Sequence, residues 1–144
     1  MSRLTLKQAN TIVEQALVKA REMKIKPLTV VVLDDAGNVV AVQREDGASM
    51  ARFDIALGKA WGAVAMSSSS RALAKRAKEN PNFFLTLAAT AKGRFLPQPG
   101  AALIRDAAGN VLGAAGASGG TGDEDEAACA YGIEKAGLKA DVAA

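Results

Sequence analysis

One short turn pattern occurs twice in this chain, and it constrains the fold more than any other feature. The segments 34–39 and 106–111 share Asp-x-x-Gly-Asn-Val at a spacing of 72 residues. Gly and Asn tolerate positive φ and the Asp side chain bonds turn N–H groups, so the pattern is typical of a tight turn. Apolar runs flank both copies, which predicts two β-hairpins and four antiparallel strands. Because the segments after the hairpins do not match, we interpret the repeat as one good turn used twice.

Helical spacing of apolar residues predicts most of the remaining elements. Thr5 and Gln8 form a capping-box pattern that begins a first helix, which ends before Pro27. The other predicted elements are a helix along 50–64, a short basic helix capped within Ser67–Ser70 and reaching about Glu79, a helix capped by Asn80 and stopped by Gly93, a short edge strand at Phe95–Leu96, and a helix from about Asp123 to Lys135. Helices must then cover an antiparallel sheet, so we predict an α/β fold in α+β layers, as one domain over residues 1–144.

The composition excludes several chemistries. The chain has no histidine and one cysteine, so Ser-His or Cys-His catalysis, His-ligated zinc or haem, and an intrachain disulfide are ruled out. No metal site is predicted. Basic residues cluster between 71 and 94, but the solvated face of a short helix explains them more simply, so we expect no nucleic-acid partner. Neither a secretory h-region nor a membrane-spanning apolar run is visible, so we expect a cytoplasmic protein without membrane partners.

The glycine-rich segment before the last helix is the strongest local candidate for a binding site. Ser118, Gly119 and Gly120 precede a helix N-terminus, where free N–H groups and the positive dipole end suit a carboxylate or phosphate. The acidic run 123–126 occupies the same turn and favours simple helix capping instead.

Four further side chains have a functional and a structural interpretation. Arg44, close to Asp46, is able to hold a carboxylate through its guanidinium, or belongs to a surface turn. Lys59 lies one residue from an apolar stripe, so periodicity favours a lysine that snorkels to solvent over a desolvated acid–base group. Cys129 is expected to be a small buried apolar residue, and Tyr131 a core residue or an oxygen ligand.

Three segments together resemble the GlcG/HbpS-type haem-binding family, which includes the C-terminal domain of PduO-type proteins. They are VVVLDDAGNVVAVQREDGA at 30–48, ALGKA at 56–60, and the pattern GAAGASGG-x4-DE-x-ACA-x-GI at 113–133. The resemblance runs in order along nearly the whole chain. It implies a profilin-like fold, with a five-stranded antiparallel sheet flanked by helices on both faces.

The resemblance also implies a small-molecule ligand, homo-oligomers from a dimer to an octamer, and a catabolic setting. The polar positions that recur in the family fall on Asp34, Arg44, Asp46, Lys59, Ser118 and Asp125. Two departures matter. The family's G-G-x-P before the second hairpin is replaced by Pro99-Gly100-Ala101-Ala102. Some haem-binding members of the family use histidine, and this chain has none. Any haem would therefore need Tyr131, Cys129, a Met, a Thr oxygen or no strong axial ligand.

Three hypotheses of function follow from the sequence. The first is a small-ligand-binding protein, with haem or another tetrapyrrole as a possible cofactor, bound through Arg44, Asp46, Lys59, Ser118, Gly119 and Gly120. The second is an isomerase-, tautomerase- or lyase-like enzyme acting on a hydroxy or keto acid, with Lys59, Asp125 and Glu126 as catalytic residues. The third is an accessory assembly subunit without a site of its own.

Overall fold

The computed structural model describes residues 3–144 and contains five helices and a five-stranded sheet in these residues. Every strand pairing is antiparallel, and the strand order is β2-β1-β4-β3-β5. None of the described helices is long and apolar enough to span a membrane. The elements are α1 Leu6–Met23, β1 Thr29–Asp34, β2 Val39–Arg44, α2 Ala51–Met66, α3 Ser70–Glu79, α4 Pro81–Thr90, β3 Ala101–Arg105, β4 Val111–Ser118, α5 Gly122–Lys135 and β5 Lys139–Asp141.

The two repeated turns close their hairpins in the same way. Asp34 N–H donates to the Asn38 carbonyl at 2.9 Å, and Asp106 N–H donates to the Asn110 carbonyl at 3.0 Å. In both turns the Asp carboxylate accepts the Asn N–H at 2.9 Å. Each hairpin also carries one register shift before its turn. The prediction of two hairpins with matching turns is therefore confirmed.

The sheet is covered on both faces. Alternate residues of β1 point to opposite sides, so Val30 and Val32 pack with α1 and α5, whereas Val31 and Leu33 pack with α2. Small residues along β4 let α2 lie close to the sheet, since a Cβ at Gly116 would collide with the Ala56 carbonyl oxygen. The predicted α/β layers and the five-stranded antiparallel sheet are confirmed.

The fifth strand is not the predicted one. Residues 95–96 are not a strand, because Phe95 is buried in a separate cluster with Phe84 and Leu96 N–H donates to the Gly58 carbonyl of α2. The edge strand is instead β5, which pairs with β3. Its Lys-Ala-Asp sequence has little intrinsic strand preference, and an ion pair of 2.9 Å between Arg105 and Asp141 helps to hold it.

The helix ends mostly follow the predicted caps. The capping box of Thr5 and Gln8 forms, and Ser69 caps α3 by accepting the Ala72 N–H. Asn80 does precede α4, with Pro81 at its first position, but its side chain makes no capping hydrogen bond. That part of the prediction is wrong, because the Asn80 backbone takes neither the extended nor the helical conformation there.

Candidate functional site

Lys59 is buried beneath the start of α5. Its side chain is 7% exposed, and Nζ lies 3.1 Å from Asp125 Oδ2 and 3.0 Å from the Ala117 carbonyl oxygen. The prediction that Lys59 snorkels to solvent is wrong. The lysine extends from α2 to the end of β4 and the start of α5, where Ala117 and Asp125 bind its ammonium group. The absence of a side chain at Gly100 makes this possible, since a Cβ there would collide with the lysine side chain.

Asp125 completes this buried pair from the first turn of α5. The side chain is 1% exposed, and its second oxygen, Oδ1, accepts the Gly120 N–H at 3.0 Å. Burial raises the pKa of Asp125, because the loss of hydration outweighs the attraction of Lys59 and the hydrogen bonds to the carboxylate. Asp125 thus holds both the lysine and the glycine-rich turn in place.

The other acids at the start of α5 have separate partners. Glu124 and Thr121 form a reciprocal capping box. Asp123 and Glu126 both bind Arg71 of α3, and Glu126 does so through two hydrogen bonds of 3.1 and 3.2 Å. The capping interpretation of the acidic run therefore holds for Glu124. Glu126, named as a catalytic candidate, lies with Arg71 and makes no hydrogen bond or ion pair with Lys59.

An open cavity of about 390 Å³ adjoins Lys59. Two N–H groups of the first turn of α5, those of Gly122 and Asp123, have no hydrogen-bond partner among the described residues. Lys59 Nζ carries three N–H groups, of which two have partners in this structure. All three residues that carry these unpartnered N–H groups line the cavity. Its walls are Ile55, Lys59, Leu96, Gln98, Pro99, Thr121, Gly122 and Asp123.

The wall formed by Pro99 is fixed by a buried serine. Ser70 Oγ accepts the N–H groups of Gly100 and Ala101 at 3.2 and 2.9 Å and donates to the Ala101 carbonyl at 2.9 Å. The segment that departs from the family pattern, Pro99-Gly100-Ala101-Ala102, therefore does line the cavity through Pro99. Ser70 and Gln98 were not predicted as site residues, because neither belongs to a motif.

The remaining binding candidates lie elsewhere. Arg44 and Asp46 line a cavity of about 460 Å³ beside α1. Gly119 and Gly120 line a third cavity of about 390 Å³, near the end of α1. Ser118 is buried, and its Oγ accepts a hydrogen bond of 3.1 Å from Arg52. The candidates named from the sequence are therefore divided among several places in the fold.

Asp34, another recurring polar position, has a structural role. Its Oδ1 accepts the N–H groups of Ala36 and Asn38, which closes the first hairpin.

Comparison with known proteins supports the resemblance seen in the sequence. The family model described as "Haem degrading protein HbpS-like" matches residues 4–134. The chain belongs to this family. No curated protein sequence matches this HbpS-like chain significantly.

Several solved structures share the fold. PduOC in complex with haem aligns with a TM-score of 0.85 at 22% identity, over 97% of this chain and 99% of that chain. A double mutant of HbpS from Streptomyces reticuli gives 0.80 at 27% identity, over 93% and 87%. Protein ORFY from Klebsiella pneumoniae gives 0.85 at 25% identity, over 95% and 93%.

The side chains named from the sequence as possible axial ligands do not converge on one haem site among the described residues of this HbpS-like chain. The chain has no histidine. Cys129 is fully buried, and burial raises the pKa of its thiol, which favours the neutral form expected of a small buried apolar residue. The half-buried Tyr131 ring lies between the ammonium groups of Lys19 and Lys135, at 5.2 and 5.4 Å. Thr121 caps α5, and Met50 is 89% exposed. No step is therefore assigned to an iron centre.

Proposed function

We propose that this chain is an HbpS-type binding protein for a small ligand bearing a carboxylate. The observation that carries the proposal is the buried ammonium of Lys59 at the wall of the 390 Å³ cavity. Cavities of this size hold small organic molecules when a few polar groups converge inside an otherwise apolar wall. Ile55, Leu96 and Pro99 supply the apolar part of this wall.

The geometry of the donors suits a carboxylate. Lys59, Gly122 and Asp123 line the same cavity, and each carries an N–H group without a partner among the described residues. A helix N-terminus adds the positive end of its dipole, which favours an anion. Asp125 balances the charge of Lys59 in the empty site and fixes the direction of Nζ, so it is a positioning residue.

A second candidate function is acid–base catalysis on a hydroxy or keto acid. The buried Lys59–Asp125 pair favours it, because lysines used in proton transfer are commonly held in such desolvated positions. In this version Lys59 alone touches the substrate. Asp125 is 1% exposed and acts through the lysine, whereas Glu126 takes no part because it binds Arg71.

Haem is one candidate ligand, because the family description names it and because its propionate groups are carboxylates. A haem bound here would be held by its propionate groups against lysine or arginine side chains, with no axial ligand from the protein. We also propose that the protein forms a homo-oligomer and acts in the cytoplasm in a catabolic setting, as the resemblance implies. An accessory subunit without a ligand is the alternative that the binding experiments test.

Calorimetric titration with small 2-hydroxy and 2-keto acids tests the binding site. Gln98→Glu adds a negative charge at the exposed cavity rim without touching the core, so it should weaken binding about tenfold or more, as like charges repel. Gln98→Leu is the neutral control, and Lys78→Met, on α3, controls for net charge. Binding that is equal in Gln98→Glu and Gln98→Leu would refute the site.

Three further readouts separate the candidate functions. Exchange of the substrate's α-proton in D2O, followed by NMR, would establish catalysis. A saturable Soret shift on adding haem would establish tetrapyrrole binding. Native mass spectrometry of protein from its source reports the number of subunits and any retained ligand, and an empty chain that co-purifies with a larger enzyme supports the accessory subunit.

A further inference from the structure

We propose that a second oxyanion site lies where β1, β2 and β4 end beside the start of α2. It consists of Thr29, Arg44, Arg52 and Ser118, and it binds one carboxylate or phosphate group. None of these four residues lines the Lys59 cavity. The site therefore goes beyond the proposed function and does not depend on it.

Strand register brings three of these side chains into one row. Thr29 of β1 is paired with Arg44 of β2 on one side and with Ser118 of β4 on the other. Directly opposite residues of antiparallel strands place their side chains on the same face, with Cβ atoms about 5 Å apart. Thr29 shares its face with Val31, which packs on α2. Arg52, in the first turns of α2, reaches this row and donates to Ser118 Oγ at 3.1 Å.

Both arginines lack a carboxylate partner among the described residues. Arg44 donates one hydrogen bond to the Ala48 carbonyl at 3.0 Å, and Arg52 donates one to Ser118. Arg21, Arg71 and Arg105 each form an ion pair, and Arg76 and Arg94 lie over the rings of Phe84 and Trp61. A guanidinium has five N–H donors in a planar fork that matches the two oxygens of a carboxylate or phosphate. Most donors of Arg44 and Arg52 are therefore available.

The hydroxyl of Thr29 points independently to a ligand. Thr29 is 0% exposed, and its Oγ1 is the one buried side-chain oxygen or nitrogen within residues 3–144 that has no hydrogen-bond partner. Buried polar groups nearly always have a partner, because an unpaired one has lost its water without compensation. Thr29 is paired with Arg44 and with Ser118, which Arg52 contacts, so an anionic oxygen held by these arginines would supply the missing partner.

The start of α2 adds positive potential to the same place. Its N-cap residue, Met50, has no side chain that is able to accept a hydrogen bond from the first turn. The uncapped N–H groups of a helix carry partial positive charge, which attracts anions. The sequence itself shows no phosphate-binding motif in this region, so only the fold reveals the site.

Titration with sodium phosphate and with sodium acetate, at constant ionic strength set by chloride, tests this proposal. We expect a saturable rise in Tm with at least one of the two anions. The side-chain Nε–H signal of Arg52 and the amide of Thr29 should shift in 15N NMR spectra. Shifts confined to the amides of Gly122 and Asp123 would instead place the anion at the Lys59 cavity and would count against this site. The anion that binds shows whether the site takes a phosphate or a carboxylate.

Three variants make the result decisive. Arg52→Gln should abolish the anion effect, whereas Arg76→Gln, which removes the same charge from α3, should leave it unchanged. Thr29→Val should weaken binding about tenfold through the lost hydrogen bond to a charged group, and Thr29→Ser should restore it. Thr29→Val is isosteric and should itself fold. The absence of saturation with both anions, or wild-type affinity in Thr29→Val, would overturn the proposal.

Discussion

The buried Lys59–Asp125 pair gives the sharpest prediction about stability. Lys59→Met preserves the length of the side chain but leaves Asp125 in its buried position without the ammonium 3.1 Å away. At an effective dielectric constant of 20 this distance corresponds to an attraction of about 5 kcal/mol, which desolvation partly offsets. Removing one partner of such a pair costs about 3–5 kcal/mol. For a chain of this size that corresponds to a decrease in Tm of about 10–15 °C.

The loss should depend on pH in a defined direction. Burial already raises the pKa of Asp125 in the folded state, and removing Lys59 raises it further, because the lysine charge opposes that shift. The folded state then binds the proton more tightly than the unfolded state, so stability falls as pH rises from the unfolded value of about 3.9 through the folded pKa. Lys59→Met should therefore lose more stability at pH 8 than at pH 5.

Urea unfolding of four chains at both pH values measures this effect. They are the wild type, Lys59→Met, Asp125→Asn and the double variant, which lacks both charges. The double variant should be more stable than the sum of the single losses implies, by about 2 kcal/mol, which is a typical coupling between contacting residues. It should also lack the extra dependence on pH. The reasoning would be refuted if the two single variants each lost less than about 1 kcal/mol of unfolding free energy and these losses were additive. It would also be refuted if Lys59→Met lost the same unfolding free energy at both pH values.

Four other predictions concern packing and backbone conformation elsewhere in the fold. Ser70→Ala leaves the N–H groups of Gly100 and Ala101 buried without a partner, so it should cost about 2–3 kcal/mol in thermal unfolding, with Ser68→Ala as a near-neutral control. Gly132→Ala would push a methyl group of α5 into the Ile12 carbonyl of α1, and it should cost about 1–3 kcal/mol. Gly109→Ala, which meets no atom but has φ of +89°, should cost only about 1 kcal/mol. Cys129 should react with a disulfide reagent at pH 8 about a hundredfold more slowly in the native chain than in urea, since burial raises the pKa of its thiol. A fast native reaction would show that α5 opens readily.

The hairpins could be predicted from the sequence because their information is local. Asp34 and Asp106 act within a few residues of their own turns, and the capping box at Thr5 likewise depends on one turn of helix. The fifth strand could not be predicted in this way. Lys139–Asp141 has no strand pattern, and it becomes a strand only because the edge of β3 is available to pair with it.

The site is harder to predict than the fold because its partners are far apart in the chain. Lys59 and Asp125 are separated by 66 residues. The spacing of the apolar residues in α2 does not indicate that a carboxylate of α5 will lie next to Lys59. The family resemblance marked both positions without showing that they meet. Thr29 and Arg52 carried no signal at all, since an orphaned hydroxyl and an unpaired guanidinium are defined only by what surrounds them.

The strand order also determines at what stage of folding the residues of the proposed anion site come together. The two hairpins form from neighbouring residues, but β1 and β4 meet in the middle of the sheet, where Thr29 is paired with Ser118. Closing so long a loop is entropically costly and slow compared with hairpin formation. Neither half of the chain contains all the residues of the proposed anion site, and a partly folded chain with both hairpins formed still lacks the pairing of Thr29 with Ser118. A ligand of the proposed anion site would therefore bind only after β1 has paired with β4, and it would stabilise the folded protein without stabilising the separate hairpins.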